Sequence, residues 1–258
     1  MKPLLTYYPL AHGVTAFSTT RHGGVSQGSY GELNINPYCG DEPQAVAANR
    51  RLLADELGVD ERRIVLPHQV HGIDCRMVSP ELFSLPEATR HNMLNNVDSL
   101  MTACRDTCIG VSTADCIPIL LYDPEHHAAA AVHAGWRGTV KGVVRKAVDE
   151  MHSCYGSAPQ HLRVVIGPGI SLANFEVGQE VYDEFVQHGF NMEHISRRFD
   201  KWHIDLSRCN SRQLERAGVL PENITLTGIC TYDRVADYFS ARRLGADSGR
   251  IYTGIILR

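Results

Sequence analysis

Cys108–His152 reads CIGVSTADCIPILLYDPEHHAAAAVHAGWRGTVKGVVRKAVDEMH, and its hydrophobic pattern decides the fold class. Cys108–Ser112, Ile117–Tyr122 and Ala128–His133 are short, largely apolar runs divided by turn-forming residues, as expected of strands. Beyond Gly135 the period changes. Val140, Val143, Val144, Ala147, Val148 and Met151 fall on one stripe at helical spacing, which predicts a helix over Thr139–His152 packed on the sheet. Strands followed by an amphipathic helix place the chain in the α/β class.

Outward from this stretch, Val14–Thr19 reads as a strand running into the glycine-rich turn RHGGVSQGSYG at Arg21–Gly31, expected to be mobile or functional. Pro43–Leu57 has helical spacing between an Asp41-Glu42-Pro43 entry and a stop at Gly58. Strands are expected at Ile64–Leu66, Cys75–Val78, Ser99–Thr102 and Leu162–Ile166, and helices at Gln179–Gln187 and Leu206–Ala217. Ile224–Ile229 and Ile251–Ile256 would close the sheet. With no repeat, low-complexity segment or linker-like run, residues 1–258 are expected to form a single domain. The expected architecture is an α+β sandwich, a mixed β-sheet core flanked by helices.

A chain of 258 residues can bury a proper core, and 43% hydrophobic with 21% charged residues is ordinary for a globular protein. A net charge of −4 gives no electrostatic reason to bind nucleic acid or an anionic membrane. No apolar run approaches the roughly 20 residues that span a bilayer, and the N-terminal MKPLLTYYPLAHG lacks the features of a signal peptide. A cytoplasmic location is expected. Eight cysteines in a chain this large suggest reduced thiols or ligands rather than a disulfide framework, and thirteen histidines point to metal chemistry.

Three fragments carry candidate ligands. His68-Gln69-Val70-His71 follows an apolar strand, but residues three apart on an ideal strand face opposite ways. One of the two histidines therefore suits a metal unless the backbone turns, and a structural hydrogen bond is the alternative for either. Ala114-Asp115-Cys116 brings a carboxylate and a thiol out of one short loop. The thiol is either a small buried side chain or a thiolate that needs a cation. His133 ends a strand just before the Gly135 turn and Arg137. One histidine, one cysteine and a second histidine make a zinc-type donor set with a fourth position open, the arrangement of catalytic rather than structural sites.

The blocks FSTTRHGGVSQG, HQVHG, TADCIPILLYD, VHAGWRGT, IGPGIS, FSARR and a closing GR span nearly the whole chain. Through them the sequence resembles the bacterial laccase-domain family, also called the polyphenol oxidase or peptidoglycan editing factor family, whose members are regarded as zinc-dependent purine nucleoside phosphorylases. The resemblance implies His71, Cys116 and His133 as zinc ligands. It also implies phosphorolysis of adenosine, inosine, guanosine and methylthioadenosine, with adenosine deamination at the same site, and an α/β sandwich built around a mixed sheet. Arg21, Arg50 and Arg137 are the candidates for phosphate, Arg137 for its motif foremost. Asp115 or His68 would move protons. Small-molecule nucleosides and phosphate are thus the expected partners.

Copper suits the sequence less well than zinc. A multicopper laccase needs paired His-x-His segments, and no two histidines here are two apart. The remaining rivals are a copper-dependent phenol oxidase, a hydrolase using Cys116 as nucleophile with His71 or His133 as base, and a cell-wall factor, either non-enzymatic or a cytoplasmic hydrolase that edits misassembled peptidoglycan precursors.

Overall fold

The computed structural model describes residues 2–258. Its strands are β1 (Leu5–Tyr8), β2 (Val14–Thr19), β3 (Ile64–Val65), β4 (Cys75–Met77), β5 (Ser99–Thr102), β6 (Cys108–Thr113), β7 (Ile117–Asp123), β8 (Ala128–Ala134), β9 (Arg163–Ile166), β10 (Glu176–Val177), β11 (Ser196–Arg198), β12 (Trp202–Ile204), β13 (Ile224–Leu226) and β14 (Ile251–Leu257). The helices are α1 (Pro43–Leu57), α2 (Glu87–Met93), α3 (Trp136–Val140), α4 (Val143–Tyr155), α5 (Gln179–Gln187), α6 (Met192–Ile195), α7 (Leu206–Arg216) and α8 (Ala241–Leu244).

Two mixed sheets form the core. One has the order β1-β2-β14-β6-β3, the other β13-β9-β7-β8-β5-β4, and a small third sheet is β10-β12-β11. Alternation along each strand explains how the two large sheets pack. On β7, Leu120 and Tyr122 face inward between the sheets, with Ala129 and Ala131 of β8 and Ile109 and Val111 of β6, whereas Ile117, Ile119 and Leu121 face the helices. On that outer side lie Val143, Val144, Ala147, Val148 and Met151 of α4, with apolar residues of α5 and α7. Across the molecule, Phe17, Cys108 and Tyr252 turn outward to meet Leu53, Ala54 and Leu57 of α1. The layers therefore run helix, sheet, sheet, helix. The alanines of β8 keep side-chain volume small where one strand contacts both a sheet and a helix.

The α/β sandwich with a mixed-sheet core flanked by helices is as expected, and two finer expectations change. The core strands divide between two large sheets, so the two segments expected to close one sheet separate: Ile224–Leu226 joins β9 at an edge of the six-stranded sheet, while Ile251–Leu257 is the middle strand of the five-stranded one. Apolar content alone does not say which sheet a strand joins. The helix expected over Thr139–His152 is two helices, because Gly142 between α3 and α4 holds φ +79°, outside the helical region and tolerated by glycine. By contrast α1 matches its reading at both ends: Pro43 occupies its first turn and Gly58 closes it in the left-handed region at φ +63°, donating to the carbonyls of Ala54 and Asp55.

This topology creates a junction. The β6–β7 connection, Ala114-Asp115-Cys116, crosses from the five-stranded to the six-stranded sheet, and so does the loop from β3 to β4 that carries His68–His71. His133, on the inward-facing parity of β8, ends between the sheets beside both crossings. No helix among the described residues is long and apolar enough to cross a membrane.

Candidate metal centre

The side chains of His71, Cys116 and His133 offer ligand atoms that all lie within 4.8 Å of one another, and this is the one such trio among the described residues. Cys116 Sγ is 3.9 Å from His71 Nε2, and the two imidazole rings meet edge-on with centroids 4.9 Å apart. A tetrahedral ion with bonds of about 2.0 to 2.3 Å holds its ligand atoms some ~3.3 to 3.6 Å apart, so the trio fits with little movement. Gly135 leaves the room for it: a Cβ there would stand 2.7 Å from His71 Cδ2 and 3.1 Å from Cys116 Sγ.

Asp98, fully buried just before β5, organises the trio. Its Oδ1 accepts from His133 Nδ1 at 2.7 Å, which turns Nε2 toward the trio as the nitrogen that binds a metal once it gives up its proton. The same carboxylate accepts from the backbone N–H groups of Val70, His71 and Gly72 at 3.2, 2.9 and 2.7 Å. These three donors wrap the loop around it and place His71 at φ +62°, a left-handed conformation that non-glycine residues seldom adopt. The backbone turn that the His68/His71 spacing required is supplied by this one acid.

Charge follows the geometry. Burial alone would raise the Asp98 carboxyl, but His133 and the backbone donors hold it below the ordinary carboxylate range. Burial would likewise raise the Cys116 thiol, yet the charge of His133 and hydrogen bonds from His133 and His71 outweigh it and hold the thiol down. In return His133 is pushed up against its own burial by Cys116 and Asp98. The site already favours a thiolate, the form that binds a cation.

The trio opens on a cleft of about 250 Å³ whose walls include His68, Gln69, Tyr38, Thr113 and Arg250. Gln69 ties the histidine loop to β6: its Nε2 donates to the Ser112 carbonyl and its Oε1 accepts from the Ser112 N–H, at 2.8 and 2.7 Å. The His68 ring meets Asn95 Oδ1 through Nδ1 at 2.6 Å and lies 4.5 Å from the Tyr38 ring.

The other expected residues stand elsewhere. Asp115, at φ +85°, does not line this cleft; it accepts from Thr231 Oγ1 and from the Arg242 N–H, both at 2.7 Å, and so pins the start of α8. Arg21 is spent on the carbonyls of Gly31 and Val235 and stacks on Phe239. Arg50 donates to the Ile64 carbonyl and stands 3.8 Å from Glu61, lining a neighbouring cavity of about 530 Å³ that shares Tyr38 with the cleft. Arg137 is exposed and lies over the Trp136 ring, 4.2 Å from its centroid. Asp98, Gln69, Tyr38 and Arg250 escaped the sequence reading. For Asp98 the available signal was a carboxylate abutting the apolar run Ser99–Thr102, a position where burial demands partners.

Two packed sheets with a His-Cys-His trio at their crossings define an α/β protein whose cleft carries a donor set that could hold one metal ion. The model of the family described as multi-copper polyphenol oxidoreductase laccase matches residues 15–258, and the chain belongs to that family. It is 42% identical to a purine nucleoside phosphorylase of Bacteroides thetaiotaomicron, over 99% of this chain and 97% of the relative. It is 38% identical to adenosine deaminase RL5 of an unknown prokaryotic organism, over 97% of both. The crystal structure of YlmD from Geobacillus stearothermophilus superposes with a TM-score of 0.89 at 31% identity, covering 97% of this chain and 94% of that one.

Proposed function

We propose that this protein is a zinc-dependent purine nucleoside phosphorylase, acting on adenosine, inosine, guanosine and methylthioadenosine, that also deaminates adenosine. The carrying observation is its 42% identity, over nearly the full length of both chains, to a protein named as a purine nucleoside phosphorylase. The deaminase relative supports the second activity. In this reading residues 1–258 act as one catalytic domain in the cytoplasm, where the eight free cysteines stay reduced.

The family's name speaks of several coppers, whereas the described residues gather one trio of a thiolate and two imidazoles, a donor set that suits zinc. Held by His71, Cys116 and His133, zinc would supply Lewis acidity at the cleft. In phosphorolysis the bond from the anomeric carbon to the purine nitrogen breaks, a bond from that carbon to a phosphate oxygen forms, and the purine departs with a proton. In deamination water replaces the amino group and ammonia leaves. Both reactions need a group that holds and returns a proton. His68 answers this requirement within the cleft, since Nδ1 is engaged by Asn95 and Nε2 remains for the exchange. Asp98 fixes the tautomer and the aim of His133, and Gln69 fixes the loop that carries His68 and His71.

The test is metal content of the purified protein, with phosphate-dependent release of hypoxanthine from inosine measured on the same sample before and after chelation. One zinc per chain, with release lost on chelation and regained on zinc addition, is the expected result. Copper at the site would favour a phenol oxidase; zinc without phosphorolysis would favour the hydrolase of peptidoglycan precursors.

A further inference from the structure

Phosphorolysis requires a cation that meets inorganic phosphate beside the nucleoside, and none of Arg21, Arg50 and Arg137 lines the metal cleft. One other arginine does. Arg250 is the only lysine or arginine among the described residues lining that cleft, and no carboxylate lines it.

The sheet register puts Arg250 there. Ile251 pairs with Thr113 at the end of the antiparallel β14–β6 ladder, so Arg250 falls beside Ala114, two residues before the ligand Cys116. Its backbone N–H donates to Asn34 Oδ1 at 3.2 Å, fixing the chain where it enters β14. The guanidinium is oriented by backbone carbonyls: Nη1 donates to Ser248 and Gly249, the latter at 3.0 Å, and Nη2 to Ala246 at 2.9 Å. It makes no salt bridge among the described residues, and Nε makes no hydrogen bond there. A guanidinium carries five N–H donors. Three are used to hold it still, leaving Nε–H and one Nη2–H for a ligand, and its positive charge is unbalanced by any acid of the cleft. An oriented, half-buried guanidinium with spare donors and no counter-ion suits a doubly charged tetrahedral oxyanion. Arg21 and Arg50 lack these properties, the first capped by carbonyls and Phe239, the second facing Glu61.

We propose that Arg250 is the residue that binds inorganic phosphate for phosphorolysis, and that it selects phosphorolysis over deamination at the shared metal cleft. The proposal rests on the phosphorylase reading above. It assigns to the close of the chain a role that the sequence reading gave to its beginning and middle.

The experiment compares full-length, zinc-loaded wild type with Arg250→Lys and Arg250→Gln, measuring KM for phosphate, KM for inosine and the ratio of inosine phosphorolysis to adenosine deamination. Losing a charge-assisted bond at a partly buried site corresponds to about a 10- to 100-fold effect. The expected result is a rise of that size in phosphate KM for Arg250→Gln, a smaller rise for Arg250→Lys, a much smaller change in inosine KM, and a fall of about tenfold or more in the activity ratio. Should Arg250→Gln not fold, the lysine variant and calorimetric titration of inorganic phosphate into it and into wild type decide the matter. Phosphorolysis with an unchanged phosphate KM, or a ratio that does not fall, overturns the role of Arg250 alone. A wild type with no phosphate-dependent release overturns the phosphorylase reading and this assignment with it.

Discussion

Asp98 touches no solvent, yet four N–H groups converge on its carboxylate: the His133 ring and the backbones of Val70, His71 and Gly72. Replacing it by asparagine keeps the volume but removes the charge and turns one acceptor into a donor facing donors. Loss of such a partner behind a metal ligand lowers metal affinity by about 10- to 100-fold. Asp98→Asn should show this against a competing chromophoric chelator, while circular dichroism remains that of the wild type; an unchanged affinity would remove Asp98 from the site. At this scale the sequence was legible where a motif exposes a donor at an element end. His71, Cys116 and His133 qualify, and so does His68. Asp98 sits in Asn95-Asn96-Val97-Asp98, whose spacing points to nothing, because its partners lie 26 to 35 residues away along the chain.

The turn joining β8 to α3 carries the prediction at the scale of elements. Gly135 has φ −69°, which any residue adopts, so its lack of a side chain matters only for space. An added methyl would press on His71 and Cys116 together. Gly135→Ala should therefore fold with wild-type secondary structure but bind metal on the order of tenfold or more less tightly, through misplacement of two ligands at once. Equilibrium metal titration checks this, and wild-type affinity would show that the turn has slack. Periodicity read β6, β7, β8 and α1 correctly because each is long and strongly patterned. It ran α3 and α4 together because one glycine in an otherwise regular stripe does not reveal its dihedral angles. Short strands such as β10, β11 and β12 hold two or three residues each, below the length at which alternation can be recognised.

For the molecule as a whole, a metal ion at this site would tie together the two connections that cross between the large sheets and the end of β8. Such an ion binds the folded chain and finds no preformed trio in the unfolded one, so binding adds to stability. At free zinc about 100 times the dissociation constant the gain is about 2.7 kcal/mol. Urea unfolding should shift by roughly this amount on chelation, and the shift should vanish in Cys116→Ala. A curve indifferent to zinc in the wild type would separate the site from global stability.

The sequence by itself determined the α/β class, the strongly patterned strands and helices, and the residues resembling a metal-ligand set, because these rest on local periodicity and on donor type. Only the tertiary structure decided that the strands divide between two sheets, that Asp98 bends the histidine loop, that Asp115 and Arg21, Arg50 and Arg137 stand outside the cleft, and that Arg250 stands within it. Each of these follows from pairings between residues distant along the chain, where register and packing, not the neighbours in sequence, fix which side chains meet.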